Sequence, residues 1–531
     1  MLSIGVIGGL LSVAYGSTLA PGLSWANGGS DGGDLITATA SLGIAHPSGY
    51  PTYVLLARGF QTFPVGDLAF RSNLFSAWCA IVASCCVYLF TKWCLFSQRE
   101  GSEESEAREA PPRQQENVAQ VAASVAALAL AFSPLYWSQA VIAEVYSLNA
   151  LFVGVLLLFT LENVRQTGPS IGWAGRLQSL VVGISLGNHL TVALPAAAWF
   201  LTSVTCAEPH RRWLIGIQRG LWAGVGLLVY LYLPLRAASH PPVNWGNPVN
   251  WSGFWWVVSG QPYQKFVFGL PLAHLPERLL AWGNMLVAQF GGAGVIIGFV
   301  GVIYGKPEPA AIRGITVALA VGYSVFAIGY GSTDSSAYLL PVYLIFAFWI
   351  GLGANTLIIA GKRADQRADQ RADQRADQRW KKPIAPLITV VLIVWLLWRI
   401  PATMKQVDAS DDNRAIHYAT SVLSAAPEGA IILTSEDRDT FSLWYYHFAL
   451  GNRPDVHVIA EPLLSYVWYQ NHIQAIYPDL PFADQWPWHT ERANGYETTI
   501  GPSGERLSGH APVCSTTFDQ KPFIDCKRGI E

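Results

Sequence analysis

Nine stretches of this chain, 3–20, 72–96, 117–135, 142–161, 213–235, 283–304, 311–330, 337–360 and 383–400, are long and apolar enough to read as membrane-crossing helices. A crossing takes about 20 mainly apolar residues, because the hydrocarbon core is about 30 Å thick and a helix rises about 1.5 Å per residue. Lipid offers no partner to backbone N–H and C=O groups, so a chain of this kind is confined to helices that satisfy themselves. Residues 1–20 lack the basic start of a signal peptide and further spans follow, so they read as an uncleaved first helix. The run 176–205 is too long for one helix and is interrupted by Gly187, Asn188 and His189. It reads as two short spans, 176–187 and 190–205, which brings the expected count to eleven.

The basic residues orient these spans. With the N-terminus inside, eighteen Lys and Arg fall in the inner loops, and five (Arg58, Arg71, Arg236, Lys265 and Arg278) in the outer segments before the tail. That bias follows the positive-inside rule. Reading 176–205 as one helix would put Arg211, Arg212 and Arg219 outside and spoil it. The expectation is a polytopic α-helical membrane protein. Residues 1–400 form the membrane module, with a first outer loop at 21–71 and a long outer loop at 237–282, and 401–531 form a small α/β extracytoplasmic domain. The membrane would be an inner or plasma membrane in a bacterium.

In the tail, the pattern predicts a helix near 411–425, a strand at Ala430–Thr434, a helix from Thr440 to Leu450, a strand at Val456–Ala460 and a helix over about 462–477. Strands alternating with helices imply parallel pairing. From about 484 the chain is rich in Trp, Pro and Gly and reads as irregular. Cys514 and Cys526 stand twelve positions apart in this polar tail, and the sequence leaves open whether they are bridged. The other five cysteines read as small packing residues in or beside apolar runs. Two inner loops are low in complexity: 99–116, and the fourfold Arg-Ala-Asp-Gln repeat of 363–378, which reads as a solvated spacer. A net charge of −2 gives no electrostatic reason to expect nucleic acid, and no metal-site or nucleotide-loop spacing is present.

The chemistry-bearing residues gather in the outer loops. Asp31 and Asp34 precede an Ala/Leu/Ile run, a pattern that suits helix capping but equally supplies carboxylates at the membrane surface, one able to take a proton from a hydroxyl. His46-Pro47-Ser48-Gly49-Tyr50-Pro51 then turns the chain sharply back. Glu144 lies near the outer end of its helix, where an ionisable group needs a wet cavity or the interface. Asn188 and His189 sit at the helix break, and Asp334 is a third outer carboxylate. Arg236 and Lys265 are cationic candidates for a phosphate, against ordinary interfacial anchoring. Trp245, Trp251, Trp255 and Trp256 suit either sugar stacking or an interfacial belt.

The segments SDGGDLITATASLGIAHPSGYPTYVLLAR, EVYSLNALF, SLGNHLT, YLPLRAASHPPVNWGNP and TSEDRDTFSLWYYHFALGNRPDVHVI resemble, in order, those of a GT-C glycosyltransferase family whose vertebrate members are protein O-mannosyltransferases. The resemblance implies a GT-C-like fold and an inverting transfer from a polyprenyl-phosphate sugar, with mannose as the suggested sugar. The acceptor hydroxyl would belong to a protein or a glycan. No metal or other cofactor is expected. It makes Asp31 the candidate general base, with Asp34 in the place of a second acid. His46 and Tyr50 of the HPxGYP element would border the donor phosphate, joined by Arg236, Lys265, His189 and Asn188. Glu144, Trp245 and Asp334 would face the acceptor cavity. Ser48 stands where many relatives have proline. The rival expectation is a transporter or flippase-like lipid-handling protein, since many spans and a polar helix break also suit a substrate path.

Overall fold

The computed structural model describes residues 2–96, 112–165, 172–375, 383–478, 480, 489–493, 496–500, 512–518 and 521–527. The membrane part comprises α1 (Leu2–Thr18), α2 (Gly32–Ser41), α3 (Pro51–Gln61), α4 (Leu68–Leu95), α5 (Pro112–Ala131), α6 (Pro134–Ala140), α7 (Val145–Arg165) and α8 (Trp173–Leu186). It continues with α9 (Ala193–Thr205), α10 (Arg212–Leu227), α11 (Tyr232–Ala237), α12 (Trp251–Val258), α13 (Leu275–Tyr304), α14 (Ala311–Gly329), α15 (Leu340–Arg375) and α16 (Ile384–Val407).

Each apolar stretch expected from the sequence is helical, but not every one is a full crossing. Among the described residues seven helices are long and apolar enough to span, or eight if the pair Gln114–Ala131 and Pro134–Ala140, bent by 69°, counts as one. The expected eleven is therefore not reached by length. Helix α8 has 14 residues, which is about 21 Å of rise and short of the hydrocarbon thickness. Ser3–Thr18 and Leu190–Thr205 are short apolar helices of the same kind. At the other end of the scale, α15 runs on through much of the Arg-Ala-Asp-Gln repeat, which in sequence reads as a spacer. Arg, Ala and Gln of the repeat are good helix formers, so the helix need not stop where the apolar run does.

Helix α4 lies against α5 and α7, and α15 against α5 and α13. In lipid, helices associate through close packing of small residues. At α13–α15, a Cβ on Gly301 would collide with the Trp349 carbonyl, and one on Gly353 with the Ile297 carbonyl.

The C-terminal part contains α17 (Arg414–Ala425), α18 (Asp437–Trp444) and α19 (Val467–Ile476), with β1 (Ile431–Thr434), β2 (His457–Ala460), β3 (His489–Ala493), β4 (Tyr496–Ile500), β5 (Val513–Thr516) and β6 (Ile524–Lys527). The order is β2-β1-β5-β6, with β1 parallel to both β2 and β5 and β6 antiparallel to β5, while β3 and β4 form a separate hairpin. The expected parallel pairing of the first two strands is present. The expectation of an irregular end is corrected: β5 completes the hydrogen bonding of β1 on its open side, and β6 pairs antiparallel with β5. Cys514 and Cys526 face each other in the β5–β6 register and form a disulfide.

This domain is fastened to the loop after α1. The Asp412 carboxylate accepts from Ser24 Oγ at 2.7 Å and from the Trp25 and Ala26 N–H groups at 2.8 and 2.7 Å. Trp25 Nε1 donates to Ser442 Oγ at 2.9 Å. Gly33 of α2 lies so close to α18 that a Cβ there would strike the Phe441 carbonyl. Backbone therefore meets backbone, and α18 has a fixed place beside the first turn of α2.

Candidate active site

The two acids of the first long loop have different fates. Asp34, in the first turn of α2, is fully buried. Its Oδ2 accepts from the His46 backbone N–H at 2.9 Å and lies 2.7 Å from His46 Nδ1, and its Oδ1 accepts from Trp245 Nε1 at 2.9 Å. Its acceptor capacity thus goes into tying three chain segments together. Asp31 sits at the N-cap position of α2 but makes no side-chain cap bond. Its side chain is 41% exposed, and its Oδ2 stands 3.8 Å from His46 Nε2. Capping does not account for either carboxylate.

His46 is thereby held between the two acids, Nδ1 toward Asp34 and Nε2 toward Asp31. Burial works against a charged ring here, but the hydrogen bond to Asp34 and the charges of Asp31, Asp34 and Glu144 outweigh it and push the imidazolium up to about 9. Its ring meets Tyr50 edge-on at 5.0 Å. Tyr50 takes a left-handed backbone conformation and caps α3, whose first residue is Pro51. Ile44 and Asn244 form a β-bridge, with Ile44 N–H donating to the Val243 carbonyl at 2.8 Å, and this bridge delivers Trp245 from the long loop.

This arrangement opens onto a cavity of about 650 Å³. Asp31, His46, Tyr50, Glu144, His189 and Trp245, all expected at a site, are on its wall. His189 is ringed by Tyr50, Tyr146 and Tyr338, with centroids 6.3, 5.8 and 5.8 Å away. Burial, then the charge of His46, pushes its pKa down to about 4, so the ring is neutral near pH 7. The Thr191 backbone N–H points at its Nδ1 at 3.3 Å, which places the ring proton on Nε2.

Other expected residues lie elsewhere. Arg236 donates to the Leu42 and Ser41 carbonyls at 2.7 and 3.2 Å, closing the C-terminal end of α2, and is not on the cavity wall. Lys265 is exposed, with its ammonium over the Phe266 ring at 5.1 Å, while its neighbours Gln264 and Phe266 face the cavity. Asn188 is fully buried behind the wall, with Nδ2 3.4 Å from the Val145 carbonyl. The side chain of Asp334 lies outside the described residues. Trp251 and Trp255 are exposed away from the cavity, and Trp256 packs on Tyr466 and Trp468.

Sequence reasoning missed Asp437. The C-terminal domain brings this carboxylate, with Phe441, onto the cavity wall. Its signal was present in Glu436-Asp437-Arg438-Asp439. The capping box of α18 uses Glu436 and Asp439, which leaves Asp437 without a structural duty.

A helical membrane bundle, an acid-bearing first loop that runs into a short juxtamembrane helix, and a docked α/β domain together make a membrane fold of GT-C-like class. Two parts of the chain are similar to protein O-mannosyltransferase-like proteins. The family description "Protein O-mannosyl-transferase TMEM260 N-terminal domain" matches residues 31–210, and "TMEM260-associated domain 2" matches 415–488. The chain is 25% identical over 487 residues to the protein O-mannosyl-transferase TMEM260 of Mus musculus, covering 86% of this chain and 63% of that one. It is 22% identical over 520 residues to the Dictyostelium discoideum counterpart, covering 86% of this chain and 57% of that one. It therefore spans less than two thirds of the length of either relative. In fold it is similar to ArnT from Cupriavidus metallidurans bound to undecaprenyl phosphate, with a TM-score of 0.52 and 12% identity over 95% of this chain and 99% of that one. The apo form of ArnT gives 0.53 and 11%, over 94% and 97%.

Proposed function

We propose that this chain is an inverting glycosyltransferase that moves a sugar, mannose, from a polyprenyl-phosphate donor to a Ser or Thr hydroxyl of a protein. The observation that carries the reading is the pairing of an accessible Asp31 with a His46 that Asp34 holds in place. The names of the two relatives support the activity. The undecaprenyl phosphate bound to ArnT, a protein of similar fold, supports the donor class.

In the proposed reaction the acceptor oxygen attacks C1 of the sugar from the face opposite the phosphate. The C1–O bond to the phosphate breaks, its electron pair leaves with the phosphate, and Asp31 takes the hydroxyl proton. The His46 imidazolium is the full positive charge on a wall that carries no Lys or Arg among its described lining residues, and it favours charge developing on the phosphate oxygen. His189 Nε2–H adds a neutral donor, and the rings of Tyr50, Tyr146 and Tyr338 provide faces for a sugar. No metal takes part in this scheme, and the activated donor is itself a membrane lipid.

The cavity opens on the extracytoplasmic side in this reading. The bias of basic residues toward the opposite loops supports it, as does a disulfide in the C-terminal domain, since such bonds persist in oxidising compartments.

The experiment is direct. Purified protein is given a short-chain polyprenyl-phosphate [³H]mannose, with and without a Ser/Thr peptide. Label moving to the peptide supports the reading. Donor carried across a liposome membrane with no label released or transferred would instead favour a transporter.

A further inference from the structure

Three charged neighbours of Asp437 are already committed. Glu436 and Arg438 pair with each other at 3.0 Å. Asp439 is fully buried and accepts from the Ser435, Glu436 and Thr440 N–H groups and from Thr516 Oγ1 at 2.5 Å. Asp437 alone of the four opens onto the cavity, and its carboxylate has no hydrogen bond or ion pair among the described residues. Asp437 is exposed to the cavity; partial desolvation by the wall around it, then the charge of Asp31, pushes its pKa up to about 6, with His46 opposing and Asp34 and Asp439 adding to the rise. Placing a carboxylate beside other carboxylates costs free energy, which a ligand cation would relieve.

The geometry indicates which ligand. A lipid phosphate approaching Asp437 would be repelled, so this wall does not suit the donor. Helix α18 belongs to the α/β domain, the side from which a water-borne acceptor arrives. Its position is fixed by the Gly33–Phe441 approach and by the Trp25–Ser442 hydrogen bond. With Asp31 and Glu144, the cavity carries three carboxylates and no Lys or Arg among its described lining residues. We propose that Asp437 is a specificity determinant, a carboxylate contributed by the C-terminal domain that pairs with a basic side chain next to the hydroxyl of the acceptor protein. This rests on the glycosyltransferase reading above and goes beyond it by naming the acceptor chemistry.

The test uses the full chain with peptides in which the target Thr is flanked by Lys or by Glu, otherwise identical. The readouts are kcat/KM for each peptide and release of mannose to water without any peptide. The wild type is expected to favour the Lys peptide by at least about tenfold, mostly through KM, as fits charge complementarity at a binding step. Asp437→Asn, which keeps shape and removes charge, is expected to bring the ratio near one, and Asp437→Lys to invert it. A ratio near one in the wild type, or one unchanged in both variants, overturns the assignment while peptide transfer continues. If the wild type neither transfers nor releases mannose, the glycosyltransferase reading falls, and the role of Asp437 falls with it.

Discussion

Asp34 Oδ2 lies 2.7 Å from His46 Nδ1, and the same oxygen accepts the His46 backbone N–H at 2.9 Å. A single carboxylate oxygen thus fixes both the ring and the main chain of the histidine, while the other oxygen holds Trp245. Two acids three residues apart are in this way divided into a buried anchor and an accessible group, and each side of that division can be tested.

Removing the anchor leaves buried donors unpaired. Asp34→Ala is expected to destabilise the protein by about 3–5 kcal/mol, the range for breaking one partner out of a buried charged pair. Thermal unfolding in detergent measures it. A melting temperature within error of the wild type would show that Asp34 does not organise the loop.

Trp245 is the milder test of the same junction. Trp245→Phe keeps an aromatic ring, though a smaller one, and removes Nε1–H, so the buried Asp34 Oδ1 loses its donor. The expected cost is about 1–3 kcal/mol. Combined with Asp34→Ala the effects should fall well short of additive, because both act on one hydrogen bond.

His46 sets a pH window. Its folded pKa lies above the usual histidine value, so its pairing with the acids stabilises fully below about 6.5 and is lost as pH rises through about 9. The melting temperature of the wild type relative to His46→Gln is expected to shrink between pH 7 and pH 10. A difference independent of pH would contradict a charged His46.

The domain junction is open to a steric probe. Gly33→Ala places a methyl group against the Phe441 carbonyl, where backbone and not a flexible side chain must yield. An overpacking cost of about 1–3 kcal/mol is expected. Limited proteolysis should reveal faster cleavage between α16 and α17. Unchanged cleavage would mean that α18 does not depend on that approach.

The helices were legible because lipid imposes one length and one composition on each of them. Their number as full crossings was not: the break at Gly187, Asn188 and His189 announced a short α8, but the expected count still took it as a span, and 14 residues fall short of one. Asp31, His46, Tyr50, Glu144, His189 and Trp245 could be found because they interrupt apolar runs or sit in punctuated loops, and the structure gathers them on one wall. Arg236 looked equally functional in sequence, and only its hydrogen bonds to Ser41 and Leu42 reveal what it holds. Asp437 was hidden in an acidic helix start that any soluble domain might carry. Its place in the cavity depends on docking against residues some four hundred positions away. Strands β5 and β6 are four residues each in a polar tail, too short for alternation to stand out.

The proposed role of Asp31 as the base for the acceptor hydroxyl is open to one decisive measurement: Asp31→Asn under single turnover with labelled polyprenyl-phosphate mannose. Transfer to peptide is expected to fall by about 10²–10⁴-fold while donor binding and melting temperature stay near wild type. Transfer at close to the wild-type rate would contradict it.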